Sequence, residues 1–431
     1  MATKHAGASA GRAARNRAPL RSHARWAAPP DRPDPVGLLE RHAQTLVQDL
    51  VPVRYGRMLR SPAAFFAGAA AVMSSDLART PASGLRVQLN GDAQIANFGA
   101  FAPARQDPVF DFCDFDETLP GPWEWDVKRL AASVEVAARE QGVPGARRFR
   151  MVSAVAGMYQ SAIRDFARRP YLSLWYGHVN PKEDGTRAQA TPPFRKSAGR
   201  VRFVSKPLSV EPLGEVLDRD VAALLMREMR ARLRAYGDRL DDEGRRILGQ
   251  YAFRDVARVV TGVRGAATQT LAVLLTAPSD SEPLILEVKE AGRSVLEPYA
   301  AAARPRHNAR RVIEGERLTE ASRDMLLGWV RGMGLYGVVR DYVVRQLRRS
   351  QPTPMDVRAL GAFARACAWT LARAHARTGD RFALAAYIGS GPAFPDAIAR
   401  FAAAYADQNA SDYQQFRAAT AQGRIVIRAD V

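Results

Sequence analysis

Asp92 and Asn97 stand five residues apart in the run GDAQIAN, and Asp114 follows at the end of an apolar β-type run, PVFDFCDF. A carboxylate, an amide oxygen and a second carboxylate are hard oxygen donors, able to hold Mg²⁺ against phosphates. A carboxylate that metal does not sequester can accept a proton from an attacking hydroxyl. Asp and Asn also cap turns for local reasons, and any one of these residues alone reads that way. The set and its spacing point to chemistry. Asp111, Asp116 and Glu117 join Asp114 in a knot of carboxylates, in a chain with 63 Lys+Arg against 44 Asp+Glu. Strand side chains alternate between faces, so Asp114 and Asp116 share a face if the strand continues, with Asp111 on the other. The expected assignment is Asp114 as metal ligand and Asp116 as a group that supports it from behind or holds a second metal ion. Asp111 and Glu117 are then structural or solvated.

Several elements must position these groups. Residues 1–35 are rich in Ala, Arg, Ser and Pro without apolar periodicity and read as a disordered basic tail. Helical spacing begins at Val36 with Leu38, Leu39, Leu46 and Leu50, and SPAAFFAGAAAVM follows with Ser61 as N-cap and Pro62 as first helical residue. RVQLNG and PVFDFCDF are short strands, and Asp126 opens a helix with Val127, Leu130 and Val134 on one face. The segment from Tyr171 to Pro207 reads as loop with a short hairpin. A β-rich section begins near Val256, and VRALGAFARACAWTLARAHAR is a long final helix. This order predicts an α+β protein with a small β-rich lobe inserted between two parts of a helical lobe. The expected boundaries are 36–245 for the first helical part (the acidic segment within it at 89–132), 246–350 for the β-rich lobe and 351–431 for the rest.

Composition sets limits. The chain has 431 residues, long for one core. Its two cysteines, Cys113 and Cys367, cannot build a disulfide framework or a zinc cluster, which fits a reducing cytoplasm. No apolar run is long enough to span a bilayer. A formal net charge of +19 admits an anionic partner, nucleic acid included, but the basic residues are dispersed and carry no RNA-sheet or zinc-finger signature.

The acidic segment resembles the catalytic loop of the protein-kinase-like superfamily, in particular the aminoglycoside and choline phosphotransferases. Those read H-G-D-x-x-x-x-N, then a hairpin, then I-D-F, then a helix start with a structural Asp. Here the parts are Asn90-Gly91-Asp92 through Asn97, then Cys113-Asp114-Phe115, then Asp126 twelve residues after Asp114. The resemblance implies Asp92 as catalytic base, Asn97 and Asp114 as Mg²⁺ ligands and Asp126 as a buried brace. The phrases RMLRSPAAFFAGAAAVM, DFDETLPGPWEWDVKRLAAS, VKEAGRSVLEPY and LARAHARTGD are similar to the bacterial DUF2252 family over about residues 36 to 415.

A phosphotransferase also needs a Gly-rich turn over the phosphates and a Lys that reaches them. Nothing upstream of Asp92 qualifies. Downstream, VVTGVRGAATQTLAVLL supplies a strand–turn–strand with Gly262, Arg264 and Gly265, and LILEVKEA carries Lys289 in mid-strand. A Lys in an apolar strand is costly unless its ammonium meets an anion, although alternation also permits a solvated face opposite Leu286 and Val288. Glu314 in RRVIEGERL is the candidate partner of Lys289, with Glu316 as competitor, and His375 on the last helix is a packing residue. The order of the parts implies a circular permutation.

Asn90 replaces the expected His of the loop, Gln94 stands where the family pattern has His, and Arg264 and Ala267 occupy expected Gly positions. These departures leave the acidic set Asp92, Asn97 and Asp114 intact, and the expectation is an ATP- and Mg²⁺-dependent phosphotransferase with a small-molecule or protein acceptor. The alternatives are a catalytically inactive nucleotide-binding pseudokinase or binding module, and a nucleotidyl transferase on the same fold.

Overall fold

The computed structural model describes all residues except 1, 102–108, 178, 180–193, 198–199, 204–209, 213–218, 260–262, 264–266, 278–282, 301–304, 335–336, 348–356 and 429–431. Helices and strands mix in an α+β architecture. The strands are β1 (Arg86–Leu89), β2 (Phe98–Phe101), β3 (Val109–Phe112), β4 (Leu119–Pro122), β5 (Phe194–Ser197), β6 (Arg200–Phe203), β7 (Val210–Pro212), β8 (Ala252–Val259), β9 (Thr270–Thr276), β10 (Leu284–Glu290), β11 (Gly328–Met333) and β12 (Val339–Gln346). Three antiparallel pairs, β1–β4, β2–β3 and β5–β6, stand apart from one six-stranded antiparallel sheet ordered β11-β12-β10-β9-β8-β7.

Three large apolar clusters organise the described residues, one of them joining the helices Pro35–Ala43, Val51–Met58 and Pro62–Gly68 to Phe416, and the other two position the site. The first gathers the helices Trp123–Glu140, Gly145–Phe166, Val357–Thr378 and Ala393–Ala421 around Trp123, Tyr159, Leu371 and Phe394. These helices meet because each carries an apolar stripe at helical spacing, and only packing stripe on stripe removes it from water. The second cluster lies on one face of the six-stranded sheet, where Val256, Leu271, Val273, Leu286 and Val288 meet Met229, Leu233 and Tyr236 of the helix Arg219–Gly237. That helix and β7 belong to the packing of the sheet, so the expected boundary at residue 246 falls inside this unit.

The amino-terminal reading is corrected. Residues expected to form a disordered tail carry a helix over Ala2–Arg17 and a 3₁₀ turn over Leu20–Ala24. The helix lies against Arg381–Ile388 so closely that a Cβ on Gly11 would fall 2.2 Å from the carbonyl oxygen of Ala383. Arg15 donates to the carbonyls of Ala386 and Tyr387, both at 2.7 Å. Farther along, Arg32 grips Asp76 and Asp412 with bonds of 2.6 to 2.8 Å. A contact face of Ala and Gly shows little apolar periodicity, which is why composition alone reads as disorder. Ser61 caps the helix Pro62–Gly68, its Oγ accepting from the Ala64 N–H at 3.1 Å, as the Ser-Pro pair predicts.

Candidate active site

The acidic loop starts where β1 ends. Gly91 turns the chain with φ of 87°, and a Cβ there would sit 2.2 Å from the carbonyl oxygen of Glu117, so both conformation and space demand glycine. Asp126, in the first turn of the helix Trp123–Glu140, holds this turn. Its carboxylate accepts the Asn90 N–H at 2.7 Å and the Gly91 N–H at 3.0 Å. On its other side it meets His375 Nε2 at 3.2 Å, and His375 Nδ1 meets the Tyr159 hydroxyl at 2.7 Å. His375 is wholly buried between the two. Trp123 packs beneath, stacked on Tyr159 with ring centroids 5.7 Å apart.

Asp92 is only 1% exposed and every contact restrains it. Its Oδ1 pairs with Arg129 Nε at 2.7 Å, and its Oδ2 accepts from Gln94 Nε2 at 2.9 Å and Asn97 Nδ2 at 3.1 Å. The Asn97 amide also donates to the Asp92 carbonyl at 2.7 Å, leaving its oxygen as the acceptor end. Arg129 is fixed in turn: it lies over the Phe66 ring at 3.9 Å and donates to the Phe66 carbonyl at 2.8 Å.

The other half of the site comes from the sheet. On β10, Leu286 and Val288 point into the second core while Glu287 and Lys289 point the other way, toward the acidic loop rather than open solvent. Lys289 Nζ lies 2.7 Å from Asp116 and 3.3 Å from Asp114, across 175 residues of sequence to the latter. Burial works against the ammonium charge, but Asp114, Asp116 and Glu287 outweigh it and hold the lysine above its ordinary range. Arg345 on β12 continues the alternation of charge, with Glu287 at 2.7 Å, Glu316 at 3.4 Å and the Cys113 carbonyl at 3.3 Å.

The expected placements divide clearly. Asp92 and Asn97 lie within one hydrogen-bonded loop that Asp126 braces from the adjoining helix, and Asp114, Asp116 and Lys289 meet in one cluster. Strand alternation does not put Asp114 beside Asp116, because β3 ends at Phe112. A tight turn does so, with Asp114 Oδ1 accepting the Asp116 N–H at 3.0 Å. Asp111 and Glu117 are structural. Asp111 accepts Arg373 at 2.8 and 2.9 Å and the Ala321 N–H at 2.6 Å, and Glu117 accepts the Val295 N–H at 2.7 Å. Glu314 does not reach Lys289: its carboxylate is 64% exposed and pairs with Arg310 at 3.5 Å. Glu316 is the buried glutamate of that helix, and its partner is Arg345. Gly262, Arg264 and Gly265 lie outside the described residues.

Among the described residues, no three His, Cys, Asp or Glu side chains converge to hold a metal by themselves. Asp114 and Asp116, which meet at Lys289, and the amide oxygen of Asn97, which sits beside Asp92, are hard donors of the kind taken by Mg²⁺, an ion that completes its shell with water and substrate phosphates. Sequence reasoning missed Arg129 and Arg345. Arg129 sits three residues beyond Asp126 on the same helix face, a spacing that carries a weak signal. Arg345, in VVRQL, carries none.

Fold and site define an α+β protein in which an acidic loop on a helical core meets a lysine on an antiparallel sheet. The chain belongs to the family described as an uncharacterized protein conserved in bacteria (DUF2252), which matches residues 46–419. Comparison with curated proteins and with solved structures finds no match. No helix among the described residues is long and apolar enough to cross a membrane.

Proposed function

We propose that the protein is an ATP- and Mg²⁺-dependent phosphotransferase built on a circularly permuted kinase-like plan. The observation that carries this reading is the convergence of Lys289 with Asp114 and Asp116, from parts of the chain far apart in sequence. A sheet lysine held charged beside two carboxylates suits a nucleotide phosphate tail accompanied by a cation. Asp114, Asp116 and the Asn97 amide oxygen are the side chains that would hold Mg²⁺, which neutralises phosphate charge as the phosphoryl group moves. Lys289 would exchange part of its contact with the carboxylates for a phosphate oxygen. Asp92 is the proton acceptor: it takes the acceptor hydroxyl proton as that oxygen bonds to phosphorus and the nucleoside diphosphate leaves. Arg129, Gln94 and Asn97 orient its carboxylate, and Asp126 braces the loop.

The test is a thermal melt with Mg²⁺ plus a nonhydrolysable ATP analogue, against each alone, in wild type and Asp114→Asn. The pair should stabilise wild type more than either component, and the variant should lose that gain while melting within about 2 °C of wild type. No synergy in wild type, or full synergy in the variant, would sink the reading. One observation favours a second reading, an inactive nucleotide-binding protein: Asp92 is buried and held by Arg129, Gln94 and Asn97 at once. Product analysis separates the two. ADP release marks the phosphotransferase, pyrophosphate release the nucleotidyl transferase, and nucleotide-dependent stabilisation without product the binding protein.

A further inference from the structure

A cleft of about 810 Å³ opens between the sheet unit and the helical core and shares no lining residue with the small cavity beside Lys289. Its walls include Trp175 of the helix Ser173–Tyr176, Arg377 at the end of Val357–Thr378, Arg317 of the helix Asn308–Thr319, and Arg239 beside Trp329 of β11. We propose that this cleft is a second binding site, for a small organic oxyanion (a phosphate monoester or carboxylate) with a flat apolar body.

Arg377 carries the argument. It is 5% exposed, and its guanidinium lies over the Trp175 indole at 3.9 Å. It donates to the carbonyls of Glu320 at 2.6 Å and Thr319 at 3.3 Å, but its Nε has no hydrogen-bond partner. Carbonyl dipoles do not neutralise a full charge, and burying one without a counter-ion is costly. Burial, with Arg373 nearby, pulls its pKa down to about 10, and Asp111 and Glu320 offset that only in part. Arg239 is exposed and stacks on Trp329 at 3.9 Å, and Arg317, also exposed, donates among the described residues to the Leu327 carbonyl at 3.2 Å.

Most acids on the wall are committed elsewhere. Glu314 pairs with Arg310, Asp241 with Arg323 and Glu316 with Arg345, while Asp324 accepts the N–H groups of Leu326 and Gln346. Glu320, the remaining acid of the wall, is buried and its charge acts on Arg377, but among the described residues no ion pair joins a carboxylate to Arg239, Arg317 or Arg377, and guanidinium forks match oxyanions. The volume suits a small organic molecule rather than a bare ion. Two indoles supply flat apolar surface, which selects a flat body over a polyol.

The test uses the full chain and isothermal titration with phenyl phosphate, inorganic phosphate and phenol, with tryptophan fluorescence as a second readout. Phenyl phosphate should bind at least roughly tenfold more tightly than either fragment. Arg377→Gln should weaken it by a similar factor. Because that variant removes a buried side chain, Arg317→Gln and Trp175→Leu are measured alongside it, with melting temperatures. Both should also weaken binding, and Asp114→Asn should leave it unchanged, which keeps the cleft distinct from the nucleotide site. Absence of saturable phenyl phosphate binding overturns the proposal. So does binding that survives Arg317→Gln and Trp175→Leu, or that is lost in Asp114→Asn.

Discussion

Asp126→Asn isolates the brace beneath the acidic loop. The wild-type carboxylate accepts two backbone N–H groups, at 2.7 and 3.0 Å, and faces His375 at 3.2 Å, with 1% of the residue exposed. Asparagine keeps one oxygen and turns an N–H₂ toward groups that donate. At least one charge-assisted bond is lost, about 1.5–3 kcal/mol, and a buried donor is left unmet, about 1–3 kcal/mol. The sum is about 2.5–6 kcal/mol, several degrees of melting temperature for a chain of this size. The assay is urea denaturation and thermal melting of Asp126→Asn beside Asp114→Asn, each with and without Mg²⁺ and the ATP analogue. Asp126→Asn should destabilise strongly. Asp114→Asn should not, because Lys289 retains Asp116 at 2.7 Å. Equal melting shifts for the two variants would refute the assignment of one carboxylate to structure and the other to ligand.

Other perturbations test the remaining contacts. His23 is buried against the Tyr387 hydroxyl at 2.6 Å, and burial, with the nearby Lys128 charge, lowers its pKa to about 3. Unfolded His23 takes up its proton near pH 6.5, so its contribution is complete above that pH and is lost as pH falls toward 3. Between pH 6.5 and 5 the loss is about 2 kcal/mol, and His23→Gln should show a flatter pH profile in urea melts; parallel profiles would contradict a neutral buried imidazole. Arg32→Ala leaves Asp76 and Asp412 buried without their shared partner and should cost about 3–5 kcal/mol. A wild-type melt for Arg32→Ala would restore the reading of residues 1–35 as a loose tail. Glu314→Gln should change stability by less than about 0.5 kcal/mol. Glu316→Gln should cost about 1.5–3 kcal/mol, as Arg345 keeps Glu287 and the Cys113 carbonyl but loses a charge-assisted partner, and a reversed order in denaturant melts would contradict the pairing.

Local signals along the chain mark many of the elements and the chemistry of the acidic loop. Ser61-Pro62 set a helix start, the apolar alternation of LILEVKE set β10 and the face of Lys289, and GDAQIAN followed by DFCDFD marked the acidic loop. These are short-range signals, fixed by sterics, capping and the period of the backbone. Tertiary structure decided which charges meet. Lys289 could have faced water from its strand, and only the approach of the acidic loop turned that face into an ion cluster. Glu316 rather than Glu314 became buried through the way its helix packs, a choice no local rule makes between two glutamates of one short run. Arg129, Arg345 and Arg373 are three among many arginines, and the fold alone singles them out as partners of Asp92, Glu287 and Asp111. The amino-terminal helix shows the same division. Its docking face is Ala and Gly, whose small apolar area gives no pattern in sequence, and close backbone approach together with long-range arginine contacts holds it in place.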